Sequence, residues 1–280
     1  MTTGEQQEDA RGLLLRALEV VGEGVMFVGA HPDDETYAFG GHLPRLSRAT
    51  VVIVTDGAPR DLRDANKVGF DTAEAYAAAR AAELVEAVSL AGVPADRVIT
   101  FGVPDQQPIF RLPEISRRLA ALFRERKPWV VFTHAYEGGH PDHDAVAFAV
   151  HAACRLMADS DVPPPELVEM PYYRLGRDGR VTQSFENGAG AQVHVSRLSE
   201  DQLALKNQMM SRHASQLRLF GRTSSNFQSR NESFRRAPDY DFSEPPNEGR
   251  INYENWHLGI TAAGWMDEAR KALTELGLRR

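Results

Sequence analysis

The stretch GVMFVGAHPDDE, residues 24–35, decides the fold. A run of small and apolar residues stops at His31 and gives way to a proline, two aspartates and a glutamate. The run reads as a buried strand. The turn after it crowds carboxylates that repel one another and are costly to desolvate, so a compensating group is expected there. Further along the chain the same pattern recurs in TVVIVTDG (50–57), RVITFGVPD (97–105) and WVVFTHAYEGG (129–139). Helical patterns lie between these runs, at 38–47, 72–91 and 112–126. Continuous Val/Ile runs alternating with helices indicate a parallel sheet covered on both faces. The expected fold class is therefore α/β, a doubly wound and mainly parallel sheet flanked by helices, with a C-terminal extension.

Beyond the helix starting near Pro141 the pattern weakens. LVEMPYYRL and AQVHVSRL look like two more strands. SEDQLALKNQMMSRHASQLRLF reads as a helix with Ser199 as N-cap and Gln202 at its third position. Residues 221–255 are polar and rich in Gly, Pro, Asn and Ser, the composition of a long loop or lid. A last helix is expected over 262–277. Residues 1–280 are read as one domain, with a core at 24–160 and C-terminal strands, helix and polar loop at 161–280.

The net charge of -7 argues against nucleic-acid binding, which recruits basic faces. One cysteine, Cys154, excludes an internal disulfide and a cysteine-based metal cluster. No apolar run reaches the ~20 residues of a membrane span, and the acidic N-terminus lacks a signal-peptide pattern. A cytoplasmic protein is expected, and the sequence leaves homo-oligomerisation open. Basic residues dominate between Lys206 and Arg236, with Glu232 as the one acid. Such a run is usually a solvated face.

Polar clusters follow each strand: His31, Asp33 and Asp34, then Asp56, then Asp105, then His134, His140, Asp142 and His143. Ligands of open α/β sheets bind outside the carboxyl ends of the strands, where strand order reverses. If the first and fourth strands are neighbours there, the two richest clusters meet. Gly138 and Gly139 allow an unusual backbone path, and Pro141 suits the first position of a helix, so His140 and His143 share one side of it. His31, Asp34 and His143 give two imidazoles and a carboxylate. That set suits zinc with an open position for water, and also iron(II). Asp33 beside Asp34 is the candidate general base, and His140 the candidate for polarising or protonating a tetrahedral intermediate.

AHPDDE (30–35) together with GGHPDHDAV (138–146) resembles the LmbE or PIG-L family of zinc-dependent N-deacetylases, which includes mycothiol- and bacillithiol-type deacetylases. The resemblance covers about residues 24–220. It implies a Rossmann-like sheet, zinc on His31, Asp34 and His143, Asp33 as general base, and His140 as oxyanion stabiliser or acid. It also implies hydrolysis of an N-acetyl group on a glucosamine-type sugar or glycoconjugate. AARAAELVEAVSLAGV is similar to the family helix with a substrate-binding arginine, here Arg80, and FGVPD to the loop whose aspartate contacts sugar hydroxyls, here Asp105. Arg80, Leu84, Val88 and Ala91 share one helical face, so Arg80 points where apolar residues point. KNQMMSRHASQ is similar to the family's late helix, with Ser215 and Gln216 at its end and His213 before them. Tyr136 stands farther from the first histidine than the mobile tyrosine of some members, which leaves substrate-specific contacts unassigned.

Three rivals are weighed against this reading. An amidase acting on a thiol conjugate or a natural product would use the same metal site. A sugar-binding protein on a retired enzyme fold would have lost a ligand or the base, and all five residues are present. A dinucleotide-dependent oxidoreductase fits the sheet but lacks Gly-x-Gly-x-x-Gly after the first strand. His42 and His151 read as packing or surface residues, His194 as solvent-facing, and His257 as packing beside Trp256 or lining the cleft. His134, at a strand end near the metal, is a candidate supporting residue.

Overall fold

A computed structural model of the chain describes residues 8–158, 160–185, 192–220, 229–256 and 258–278. Four parallel strands form its centre: β1 (Val25–Gly29), β2 (Thr50–Thr55), β3 (Val98–Val103) and β4 (Val130–His134). They are the four runs read from the sequence. β5 (Glu166–Met170) adds in parallel to β4, and β8 (His194–Arg197) and β9 (Asn231–Arg236) complete the sheet through antiparallel pairs. The order is β3-β2-β1-β4-β5-β9-β8. β6 (Tyr173–Gly176) and β7 (Gly179–Thr182) form a separate hairpin.

Alternation along β1 shows why both faces must be covered. Phe27 packs with Ile53, Leu84 and Val88 on one face, and Met26 and Val28 pack with Ile115, Leu119 and Val146 on the other. The first face is covered by α1 (Ala10–Glu19), α2 (Asp34–Phe39), α4 (Ala73–Leu90) and α7 (Glu200–Arg212). The second is covered by α5 (Leu112–Arg126) and α6 (Pro141–Arg155), against which α9 (Ala262–Glu275) packs through Trp265. α3 (Arg63–Lys67) and α8 (Ala214–Phe220) are short. The Ser199–Gln202 capping box is present as expected.

Four expectations need correction. The helix placed at 38–47 starts earlier, at Asp34, because the acidic turn itself forms its first residues, where carboxylates favour a helix N-terminus. Gly40 follows it, and only a 3₁₀ turn, Leu43–Arg45, continues. The helix through 199–220 breaks at His213, whose ψ of 58° is not helical. Of the loop placed at 221–255, residues 221–228 lie outside the described residues, but Asn231–Arg236 is a strand inside the sheet, and Phe242, Ile251 and Tyr253 are buried. The basic run is a solvated face only in part: Arg212, Arg218 and Arg230 are exposed, but three others turn inward. Lys206 is buried on Glu232 at 2.7 Å, Arg235 pairs with Glu169, and Arg236 pairs with Glu166.

Candidate metal centre

Strand order reverses between β1 and β4, which pair in register from Val25–Val130 to Val28–Thr133. Their carboxyl ends therefore bring the two His/Asp motifs together. After β1 the chain turns at His31. The Asp34 carboxylate closes that turn by accepting the amides of Ala30 at 2.9 Å and His31 at 2.7 Å. After β4 the loop runs through Gly138, in a left-handed conformation, into α6. Asp144 holds this loop by accepting the amides of Glu137 and Gly138, each at 3.1 Å. A Cβ on Gly139 would stand 1.8 Å from the Tyr173 carbonyl oxygen, so no other residue fits there.

Among the described residues, His143 is shared by two overlapping clusters, His31 with His140 and Asp34 with His134, so the expected ligands lie side by side rather than in one set. Asp34 Oδ2 lies 3.6 Å from His31 Nδ1, and Asp34 Oδ1 lies 3.4 Å from His143 Nε2. His134 joins them, its Nε2 3.1 Å from Asp34 Oδ2 and 2.9 Å from the Ala30 amide. His140 sits at the N-cap of α6, where its Nδ1 accepts the Asp142 amide at 3.1 Å and its ring meets His31 edge-on. His31, Asp34, His140 and His143 surround a cavity of about 480 Å³, which Asp33, Arg80 and Asp105 also line, whereas His134 is not part of its wall.

The protonation states suit a cation. Burial, with His134 beside it, pulls His143 down to about 3, so its imidazole is neutral. Burial and the neighbouring His31 and His143 likewise hold His140 well below its ordinary value. Burial works to raise Asp34, but His143 and His134 hold it well below the carboxylate range. His31 is different. Burial opposes its charge, yet Asp105, Asp142 and Asp34 around it raise it well above the usual histidine range. Three carboxylates thus call for positive charge at this point. His143 Nδ1, His134 Nδ1, Asp105 Oδ1 and Asp142 Oδ1 are buried without a hydrogen-bond partner. A neutral His143 imidazole, an ionised Asp34 carboxylate and a His31 whose proton a cation would replace are a donor set for zinc or iron(II), so the residues fit the ion that the sequence implies.

Asp33 is pushed up to about 6 by burial, with Arg80 opposing and Asp34 adding to the rise. Arg80 is buried in α4, as its helical face predicts. Its guanidinium already donates to the Pro32 carbonyl at 2.8 Å and to Asp33 Oδ2 at 3.2 Å, and it stands 3.9 Å from Asp105. Asp105 in turn lies 3.7 Å from His31 Nε2.

Sequence reasoning left two neighbours of the site without a role. Asp142 Oδ2 faces His31 Nε2 at 3.3 Å and accepts the Gln106 amide at 2.7 Å, so it orients the imidazole from behind. Its place inside GGHPDHDAV was the available signal. Tyr172 donates its hydroxyl to the Asp34 carbonyl at 3.1 Å and packs on His134, and no motif marks it. Tyr136 is buried in the C-terminal core, bonded to the Glu244 carbonyl. His42 and His151 are buried, His194 is only partly exposed, and His257 lies outside the described residues.

A mostly parallel α/β sheet with a buried His/Asp cluster at its switch point is the class to which these features belong. Residues 26–154 match the family described as PIG-L, GlcNAc-PI de-N-acetylase. Over these residues the chain is similar to the PIG-L (LmbE) family. It is 29% identical over 189 residues to 1D-myo-inositol 2-acetamido-2-deoxy-alpha-D-glucopyranoside deacetylase of Tsukamurella paurometabola, covering 56% of this chain and 64% of the relative. It is 28% identical over 202 residues to the probable N-acetyl-alpha-D-glucosaminyl L-malate deacetylase 2 of Bacillus anthracis, covering 69% and 80%. The match to the first of these thus spans a little under two thirds of that protein's length. Among solved structures, the A40926 pseudoaglycone deacetylase superposes with a TM-score of 0.61 at 19% identity, over 79% of this chain and 99% of its own. At that identity the likeness is one of fold.

Proposed function

We propose that the chain is a metal-dependent hydrolase that removes an N-acetyl or other N-acyl group from a glucosamine-type sugar or glycoconjugate. The observation that carries this reading is the meeting of His31, Asp34 and His143 with Asp33 at one cavity on the β1/β4 switch point. The named relatives, both deacetylases of N-acetylglucosamine conjugates, support the substrate class.

His31, Asp34 and His143 would hold the ion, zinc or iron(II). When bound, it supplies Lewis-acid activation of water and of the acyl carbonyl. Asp33 takes a proton from the attacking water and later returns it to the leaving amine. Its upward shift to about 6 brings it closer to the working pH, which suits a group that must both accept and release a proton. His140 is neutral, and its Nδ1 is occupied as an acceptor, so its proton sits on Nε2. It acts as a hydrogen-bond donor to the developing oxyanion rather than as a cationic acid. Arg80 steadies Asp33, and Asp105 offers a carboxylate oxygen to sugar hydroxyls. The remaining cavity lining, including Tyr173, Arg180 and Trp256, is left for the rest of the conjugate.

The test is elemental analysis of protein purified without added metal, together with acetate release from N-acetylglucosamine conjugates. Stoichiometric zinc or iron with acetate release is expected. Metal without acetate moves the substrate to larger N-acyl conjugates. Failure to bind metal after reconstitution overturns the mechanism.

A further inference from the structure

Asp33 stands in a conformation that aspartate seldom takes. Its φ is +139° and its ψ is −21°, in the left-handed half of the map that favours glycine. Such residues persist only when their surroundings over-determine them. Asp33 is also the N-cap of α2, yet its side chain makes no cap bond. Aspartate is among the preferred capping residues, so its carboxylate has been diverted from the usual local partner.

The surroundings that over-determine it are visible. Glu35 Oε2 accepts the Asp33 amide at 3.0 Å. Glu35 Oε1 accepts the Thr36 hydroxyl at 2.6 Å and faces His213 Nε2 at 3.2 Å. Glu35 and His213 are both 0% exposed, and neither is among the residues lining the cavity. They are therefore out of reach of a substrate. A buried carboxylate is costly, and this one spends its two oxygens on the strained amide and on a fixed histidine. His213 is itself fixed, because it closes α7 at the break before α8.

We infer that Glu35 and His213 are positioning residues for Asp33. His213 sets the Glu35 carboxylate, Glu35 holds the Asp33 amide, and the Asp33 side chain is thereby aimed into the cavity instead of at its own helix. Arg80 completes the brace from the other side through Pro32 and Asp33. The inference rests on the assignment of Asp33 as the base, but its first readout does not.

The experiment compares holoprotein carrying His213→Ala, His213→Gln or Glu35→Gln with wild type. The readouts are amide hydrogen exchange across residues 31–38, bound metal, and kcat and KM measured separately. In His213→Ala, exchange at Asp33 should quicken about tenfold, the cost of one hydrogen bond. Its kcat should fall about 100-fold, the usual penalty for a displaced catalytic group, with KM and metal content unchanged. His213→Gln, which keeps a donor, should recover most of both effects. Glu35→Gln should follow His213→Ala and carries the test if that variant fails to fold. Wild-type exchange in both disrupted variants would overturn the inference. So would activity lost only in step with lost metal, since the network would then build the ligand set. Should no acyl sugar be turned over by wild type, the failure lies with the proposed function, and the exchange comparison still decides the brace.

Discussion

The two ends of α2 carry two buried charge clusters that follow opposite rules. Past its C-terminal end, Glu232 accepts the Gly41 amide at 2.8 Å, Lys206 Nζ at 2.7 Å and His42 Nδ1 at 2.5 Å, and His42 Nε2 meets Ser196 Oγ at 3.0 Å. None of these four side chains keeps a buried polar atom unpaired. At its N-terminal end, His31, Asp33, Asp34, Asp105 and Asp142 crowd together, and several lone pairs and N–H groups there stay unspent. The first cluster closes on itself and joins β9 to α7 and to the turn after α2. The second is left open to an outside ion and a substrate. Unsatisfied buried polarity is expensive, so its concentration at one end of a six-residue helix distinguishes a site from a joint.

Mutations at the two ends should therefore separate activity from stability. Asp33→Asn should cut turnover by about 10²–10⁴, the share of a general base, with bound metal unchanged by elemental analysis. Turnover near wild type would remove Asp33 from the mechanism. Glu232→Ala leaves Lys206 buried without its anion and should cost about 3–5 kcal/mol in urea unfolding. Turnover per folded molecule should hold. Gly139→Ala forces a clash with the Tyr173 carbonyl and should cost about 1–3 kcal/mol while weakening metal retention, since it displaces the entry to α6. The smallest effect has the opposite sign. In metal-free protein at neutral pH, Asp33→Asn should raise unfolding free energy by about 0.5–2 kcal/mol, because it removes a charge that burial disfavours and Asp34 repels, less the attraction of Arg80. A loss of stability there would mean that the open cluster is balanced after all.

Acidity sharpens the same contrast. Burial alone would raise Glu232, but Lys206 and His42 hold it below its ordinary value of 4.5. A carboxyl depressed by folding adds stability that is present in full above 4.5 and is lost as pH falls through the folded value. The stability gap between wild type and Glu232→Gln should thus be constant near neutrality and shrink below pH 4.5, as read from urea midpoints across pH.

Much of the site could be read in advance because it is local. His31, Asp33 and Asp34 sit in one turn, His140 and His143 in another, and the Val/Ile runs before them place both turns at strand ends. β9 was hidden for the reverse reason. Asn-Glu-Ser-Phe-Arg-Arg has only one apolar residue, and it is buried through charge partners far off in sequence: Lys206 for Glu232, Glu169 for Arg235 and Glu166 for Arg236. Polar residues that satisfy one another across the fold leave no periodic trace. Arg80 was marked by its helical face, but its grip on Asp33 and Pro32 depends on packing between α4 and the β1 turn. Tyr172 and His213 act through neighbours more than thirty residues away, with no spacing to betray them.

The antiparallel seam between β5 and β9 sets an order of events during synthesis. β5 is complete once residue 170 has been made, but the strand that covers its open edge ends only at residue 236. Until then a nascent chain presents Val168 and Met170 on an unpaired edge, which is a template for another chain. Fragments that stop between residues 171 and 230 should thus self-associate, while longer chains shield the edge with their own arginine-bearing strand.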